Sequence, residues 1–350
     1  MSMTITEAIK KAVDKVDLTS EEAESVLEQI MTGESTDAQI ASLLTALRMK
    51  GETVDELAGF ARVMRKKAAA VNPISRASAS IGGTGREALI DTCGTGGDVS
   101  GTFNVSTATA FVVAGGGVRV AKHGNRSVSS RCGSADVVEE LGIKIDLTPE
   151  RIAECIDEVG IGFLHAPLLH GAMKHVAPVR KQLGIRTIFN MLGPITNPAG
   201  ANAQLIGVYA PHLTEVLARV LASLGTRRAL VVHGSDGMDE ITITASSKVT
   251  ELREGKISTY NVTPEECGLA RAALKDILGG TAEENAQIIR RVLNGDGGPR
   301  RDIVTLNAGA AFVASSKAGN MLEGVRMARE SIDSGAAAKK LDRLIRFTNA

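Results

Sequence analysis

Tryptophan is absent from the 350 residues, and Phe and Tyr supply an aromatic share of only 3%. So few rings leave no stacking platform for exposed bases. Neither sign of charge is in excess: 40 Lys and Arg stand against 40 Asp and Glu, a formal net charge of zero with six neutral histidines. A neutral chain has no broad electrostatic footprint for nucleic acid or an anionic membrane, so any phosphate chemistry must come from a local site. Cysteine is scarce, and Cys93, Cys132, Cys155 and Cys267 lack metal-ligand spacing, which fits a reducing, intracellular setting. Apolar runs such as 111–120 are too short to span a bilayer, and residues 1–7 lack the apolar core of a signal peptide. A soluble, cytoplasmic protein is the expectation.

Glycine, by contrast, is abundant: 37 residues with no collagen-like period, as suits an α/β protein with many tight turns. The N-terminal quarter is helical. Ile5, Ile9, Ala12 and Val13 recur at helical spacing, and Thr19, Thr36 and Thr53 each precede a further amphipathic run. Four such helices in 1–70 form a small helical domain that needs a partner surface. Residues 71–86, with Asn72-Pro73, read as a linker, and 87–350 as a large α/β domain. Strands are expected at 88–90, 118–121, 143–145, 162–164, 204–208 and 228–232, with a hairpin or edge strands over 246–253 and 256–262. Helices are expected over 106–114, 134–140, 148–157, 170–183 and 211–224, and the tail from 282 is helical.

The strand at 88–90 delivers the chain into Gly94-Thr95-Gly96-Gly97-Asp98. Three glycines in four positions permit φ > 0 and close ligand approach, and their successive N–H groups can form an anion-binding nest. Neither the dinucleotide fingerprint nor a P-loop is present. Asn104, Ser106 and Thr107 stand at a helix start, where anions are favoured. A strand ending at Ala121 runs into Lys122, His123, Gly124, Asn125 and Arg126, then Ser127, Ser129 and Ser130, a composition that suits a phosphate clamp, with a solvated positive loop as the alternative. The adjacent acids Asp239 and Glu240 follow another strand and a glycine; such pairs are most often plain solvated charge, but beside a phosphorylated ligand they would suit Mg²⁺.

Five segments together resemble the anthranilate phosphoribosyltransferases of tryptophan biosynthesis. They are Asp91-Thr92-Cys93-Gly94-Thr95-Gly96-Gly97-Asp98, Asn104-Val105-Ser106-Thr107, Lys122-His123-Gly124-Asn125-Arg126, Arg186-Thr187-Ile188-Phe189-Asn190-Met191-Leu192-Gly193-Pro194, and His233-Gly234-Ser235-Asp236-Gly237-Met238-Asp239-Glu240. The similarity runs nearly end to end. It implies a nucleoside phosphorylase/phosphoribosyltransferase-like fold: a small all-helical domain, and a large α/β domain with a central mixed sheet. Helices of about 170–192 would return to the small domain, with the active site at the hinge. It further implies a homodimer joined through the helical domain, and Mg²⁺ at two ions per chain. The reaction would move the phosphoribosyl group of 5-phosphoribosyl diphosphate (PRPP) to the amine of anthranilate.

Carried residue by residue, the resemblance assigns PRPP to Gly94, Gly97, Asp98, Thr102, Asn104, Val105, Ser106, Thr107 and Lys122 to Ser130 (His123, Gly124, Asn125, Arg126, Ser127, Val128 and Ser129 between them), with Ser134 beyond. Anthranilate falls to Gly94, Asn125 and Arg180, and the metal to Ser106, Asp239 and Glu240. No catalytic base is expected, because an aryl amine is already unprotonated at neutral pH and the harder step is loss of diphosphate. Family members often carry an aromatic residue before the histidine matching His170, whereas this chain has Leu169, and His165 replaces another bulky position. The anthranilate channel is therefore expected to be lined differently. Two enzyme-fold rivals are weaker. A pyrimidine nucleoside phosphorylase would carry a further C-terminal domain, and a nucleic-acid-binding relative would show a basic groove and degraded motifs.

Overall fold

The computed structural model describes residues 3–74, 88–97, 100–126 and 132–350. Four helices open the chain: α1 (Ile5–Val13), α2 (Ser20–Thr32), α3 (Asp37–Lys50) and α4 (Val54–Lys67). Each is started by a threonine, Thr4, Thr19, Thr36 or Thr53, whose hydroxyl accepts a first-turn N–H. Glu7, Glu22, Gln39 or Glu56 returns the bond to the threonine backbone. Two otherwise orphaned donors are satisfied at every start. Leu27, Ile30, Leu43, Leu44, Leu47 and Phe60 fill the bundle and are fully buried.

Glu56 has a second duty there. Its carboxylate is inaccessible to solvent and accepts from the Leu18 and Thr53 backbones at 3.0 and 2.9 Å and from Lys50 Nζ at 3.1 Å. Glu56→Ala would remove the buried carboxylate partner of a lysine whose side chain is 3% exposed, leaving it Asp17 and the Gly51 carbonyl. Breaking a buried pair in this way is expected to cost about 3 kcal/mol. A urea titration would show the midpoint falling by that equivalent, and an unmoved midpoint would refute the assignment.

The α/β part follows with β1 (Leu89–Gly94), α5 (Val105–Gly115), β2 (Arg119–Gly124), α6 (Ser134–Glu140), α7 (Pro149–Glu154) and β3 (Ile161–His165). The expected strand at 143–145 does not form. Ile143 and Ile145 are buried and Lys144 exposed, but the Lys144 N–H goes to the Thr348 hydroxyl at 3.2 Å rather than to a neighbouring strand. The alternation there records one-sided burial without a ladder.

Next come α8 (Ala166–Leu169), a 3₁₀ turn over Gly171–His175, α9 (Ala177–Leu183) and α10 (Ile188–Ile195). The one helix expected over 170–183 is thus broken, because Pro178 has no N–H to give and restricts the residue before it. The chain continues through β4 (Ala203–Gly207), α11 (Leu213–Ser223), β5 (Arg228–Gly234), β6 (Ser247–Arg253) and β7 (Lys256–Val262). Four helices close it: α12 (Ala282–Leu293), α13 (Pro299–Ala314), α14 (Met321–Asp333) and α15 (Ala336–Asn349).

The strands form one mixed sheet in the order β3-β2-β1-β4-β5-β6-β7. The first five are parallel, and β6 and β7 add an antiparallel hairpin at the edge. From β1 the chain winds outward through β2 and β3, then returns to β4 on the other side. The switch point therefore lies between β1 and β4, and ligands of open α/β sheets bind at the carboxyl ends of the strands beside such a point. Those ends are Gly94 and Gly207, which pair directly.

Two large cores flank the sheet. One joins β1, β2 and β5 residues to α5 and the C-terminal helices. The other is continuous from the N-terminal bundle through Ile188, Phe189 and Leu192 of α10 and Leu217 of α11 to Ile206 and Val231 of the sheet. Phe60 and Phe189 stack with ring centroids 6.3 Å apart. Arg65 of α4 donates to the Ile195 carbonyl at 2.9 Å, and burial pulls its guanidinium down to about 10. Among the described residues no helix is long and apolar enough to cross a membrane.

Candidate active site

β1 does not stop at Ile90 but runs through Gly94, so the glycine motif begins inside the sheet. Thr95 N–H then donates to the Gly207 carbonyl at 2.9 Å. Asp239 lies across both strand ends. Its Oδ2 accepts from Gly96 N–H at 2.9 Å and would stand 2.5 Å from a Cβ on Gly94, while a Cβ on Gly207 would collide with the Asp239 carbonyl. Gly96 and Gly97 are needed for a different reason, since their φ values are +65° and +78°.

The segment carrying Asp239 and Glu240 is itself braced. Asn307 of α13 accepts from Ile241 N–H at 3.0 Å and donates to its carbonyl at 2.9 Å. Asp236 accepts from the Thr242 hydroxyl at 2.6 Å and from Met238 N–H at 3.3 Å. Asn307 carried no sequence signal as a support: it lies mid-helix, and its partner is 66 residues away.

At the next strand end, Lys122 is 3% exposed and donates to the Thr92 carbonyl at 2.5 Å and the Ser106 hydroxyl at 3.3 Å. Asp91, fully buried, accepts from His123 N–H at 3.1 Å and Asn197 Nδ2 at 2.7 Å. Burial pushes the Asp91 carboxyl up to about 6 against the pull of Lys122, and burial lowers Lys122 against the pull of Asp91, Glu240 and Asp239. Asn104 begins α5 without capping it; its Oδ1 accepts from Asn285 Nδ2 at 3.0 Å. Val105 is buried in the core, and its N–H donates to the Phe103 carbonyl at 2.7 Å. The Thr107 hydroxyl is buried with no partner among the described residues. Thr102 bridges to Leu278.

Gly124 lies against Ser134, where a Cβ would overlap the Ser134 hydroxyl. That hydroxyl accepts from Asn125 N–H at 3.2 Å. Arg126 is exposed and turned to α6, pairing with Asp136 at 2.9 Å and Glu139 at 2.6 Å. Asp98, Ser127, Val128, Ser129 and Ser130 lie outside the described residues.

His123 Nδ1 sits 3.2 Å from the Gly193 carbonyl, which can only accept, so the proton is on Nδ1 and Nε2 is a bare acceptor. The ring of His170 lies 5.2 Å away, and Nε2 of each ring is buried without a partner among the described residues. Burial, the largest cause, pulls His123 down to about 3 and His170 to about 4, so both are neutral at physiological pH. Arg180 stands half-buried on α9, 5.6 Å over the ring of Phe189, and burial lowers its guanidinium. Its link to His123 passes through α10, which carries both Phe189 and Gly193. Leu169 packs in a small core with Val71 and Leu164, and the exposed neighbour is Leu168.

No group of three or more His, Cys, Asp or Glu side chains capable of holding a metal occurs among the described residues. That suits Mg²⁺, which takes one or two carboxylates and fills its remaining positions with water and substrate phosphate oxygens. The expected donors, Asp239, Glu240 and the Ser106 hydroxyl, are all oxygen, so the residues fit the ion.

A mixed sheet with a glycine turn at its switch point, under a helical bundle, defines a class of transferase. The chain matches the helical bundle domain of the glycosyl transferase family over residues 6–68 and its a/b domain over 86–338. An anthranilate phosphoribosyltransferase of Symbiobacterium thermophilum is 56% identical over 341 residues, covering 97% of each chain. The crystal structure of anthranilate phosphoribosyltransferase from Thermus thermophilus superimposes with a TM-score of 0.90 at 46% identity, over 98% of this chain and 99% of that one. The Saccharomyces cerevisiae enzyme in complex with PRPP and Mg gives 0.87 at 28% identity, over 99% and 98%. The chain belongs to the anthranilate phosphoribosyltransferase family.

Proposed function

We infer that the cleft at the ends of β1 and β4 binds PRPP through its diphosphate, with anthranilate approaching from α9 and α10. The chain is a phosphoribosyltransferase of tryptophan biosynthesis: it transfers the 5-phosphoribosyl group of PRPP to the amine of anthranilate and releases diphosphate. The observation that carries the placement is Asp239, whose carboxylate meets the glycine turn at Gly96 and beside Gly94.

In this reading the glycine turn and the α5 start lie against the anionic ends of PRPP, with the Thr95 and Gly96 N–H groups held by the Gly207 carbonyl and Asp239. Ser106 and Lys122 hold a polar wall beside them. When bound, Mg²⁺ held by Asp239, Glu240 and Ser106 offsets charge building on the departing diphosphate. The two neutral histidines add no cation, and the aryl amine is already unprotonated, so positioning and charge stabilisation carry the rate rather than a general base. Turnover tests the whole reading: anthranilate fluorescence should fall when PRPP and Mg²⁺ are both present. Equal loss in EDTA would defeat the metal assignment.

Arg180 is the cation for the anthranilate carboxylate. A half-buried guanidinium above an aromatic ring is poorly hydrated and gains from a carboxylate partner. Arg180→Ala is expected to weaken anthranilate binding by about 1.5–3 kcal/mol, the scale of a charge-assisted bond, with PRPP affinity nearly unchanged. Calorimetry of each ligand decides, and a matching loss for PRPP would place Arg180 at the other substrate.

A homodimer through the helical domain completes the proposal. Val13 is 65% exposed, Val16 48% and Met49 81%. The Lys50–Asp17 bond at 2.6 Å ties the end of α3 to the turn after α1, and we infer that the three exposed side chains form one apolar patch there. A second copy of the chain would cover it. Sedimentation at micromolar concentration should give twice the chain mass; a fully active monomer would reject the dimer.

A further inference from the structure

The third family segment after the glycine motif begins with Arg186, a residue to which neither the sequence nor the preceding reading gives a role. Its guanidinium donates to the Gly97 carbonyl and lies 4.3 Å over the ring of Tyr209. A Cβ on Gly97 would stand 3.0 Å from Arg186 Nη2, so the approach depends on glycine there. Tyr209 also reaches the turn through its own backbone, donating to Thr95 Oγ1 at 3.1 Å, two residues beyond the β4 end. The glycine turn is thus gripped at Thr95 and at Gly97 by one stacked pair.

Both members of the pair have a second attachment. Arg186 immediately precedes Thr187, the N-cap of α10, and α10 carries the ring beneath Arg180 and the carbonyl that fixes the His123 tautomer. The charges of Arg48 and Glu52 of the helical bundle act on the Tyr209 hydroxyl together with that of Arg186. Glu52 keeps one carboxylate oxygen buried without a partner among the described residues.

We propose that Arg186 and Tyr209 are positioning residues that latch the Gly94–Gly97 turn in its ligand-binding shape and couple it to the anthranilate side of the cleft. The proposal rests on the placement of PRPP at that turn. A planar cation stacked on a ring and aimed at a carbonyl is a geometry that arginine supplies and lysine does not. The consequence is mutual: whatever orders the turn also orders the start of α10, so each substrate should tighten the other.

The test compares Arg186→Gln, Arg186→Lys, Tyr209→Leu and the Arg186→Gln/Tyr209→Leu double variant with the wild-type full chain. Each single variant is expected to raise the PRPP KM by about tenfold, with the double variant no worse than either, as for two residues acting as a unit. PRPP titrated with and without saturating anthranilate should show mutual tightening in the wild type and none in the variants, while melting temperatures stay close to wild type. Restoration by Arg186→Lys would overturn the latch in favour of a simple point charge. Additive effects, or losses that only follow a falling melting temperature, would overturn it as well. Asn104→Ala separates the two levels. If it weakens PRPP while the Arg186 and Tyr209 variants do not, the latch fails alone; if none of them affects PRPP, the placement of PRPP fails too.

Discussion

The Asp239→Asn/Glu240→Gln double variant is expected to lose turnover by on the order of 10³-fold while remaining folded, since removing even one preorganised stabilising group costs about 10²–10³-fold. The magnitude follows from position. Asp239 stands at the carboxyl edge of the sheet beside the switch point, and both carboxylates act on the buried ammonium of Lys122. An anionic diphosphate would be repelled by them unless a divalent ion lay between, so the pair turns from hindrance to attraction with Mg²⁺. Both substitutions preserve shape, and the asparagine amide oxygen can still accept from Gly96 N–H, which Asp239 now binds at 2.9 Å. The bracing of the segment through Asn307 and Asp236 is untouched. Titrating PRPP at several Mg²⁺ concentrations should show the metal dependence of binding abolished. A variant with the wild-type response would demote the two acids to ordinary surface charge.

Gly207→Ala is expected to have nearly as large an effect, although it removes no functional group. The added methyl would occupy the place of the Asp239 main-chain carbonyl, and its neighbours are backbone atoms rather than a flexible side-chain tip. Gly207 lies within β4, paired to β1 on one side and β5 on the other, so it has little freedom to retreat. The Asp239 segment must move instead. A displacement of about 1 Å at a positioning group costs on the order of 10²-fold in rate. Circular dichroism and melting should report a folded protein, with kcat reduced and Mg²⁺ required at higher concentration. Wild-type kinetics would mean that the contact between β4 and Asp239 does not set the site.

The parts of this molecule legible in its sequence are those governed by local rules. Thr19, Thr36 and Thr53 mark helix starts because a hydroxyl cap needs only its own first turn. The glycine motif signals its chemistry because φ > 0 at Gly96 and Gly97 is a property of the residues themselves. The mixed sheet and the helical domain were expected and are present. What escaped depends on distant partners. Ile143 and Ile145 alternate like a strand, but the donor of Lys144 is taken by Thr348 from the far end of the chain. Asp91 is inside a recognisable motif, yet its role as anchor for Asn197 and the His123 backbone requires the packed sheet. Arg126 pairs with Asp136 and Glu139, a contact that exists only where α6 packs beside the end of β2. Gly207 carried no warning at all, because its neighbour Asp239 is brought in by the fold.

The most direct measurement is an anomalous difference map from crystals soaked in PRPP and Mn²⁺, a hard, oxygen-seeking ion that substitutes for Mg²⁺. The account predicts a peak beside the Asp239 and Glu240 carboxylates, with the diphosphate of PRPP continuing from it toward the backbone of Gly94 to Gly97. A peak elsewhere, or a diphosphate lying away from the ends of β1 and β4, would contradict it.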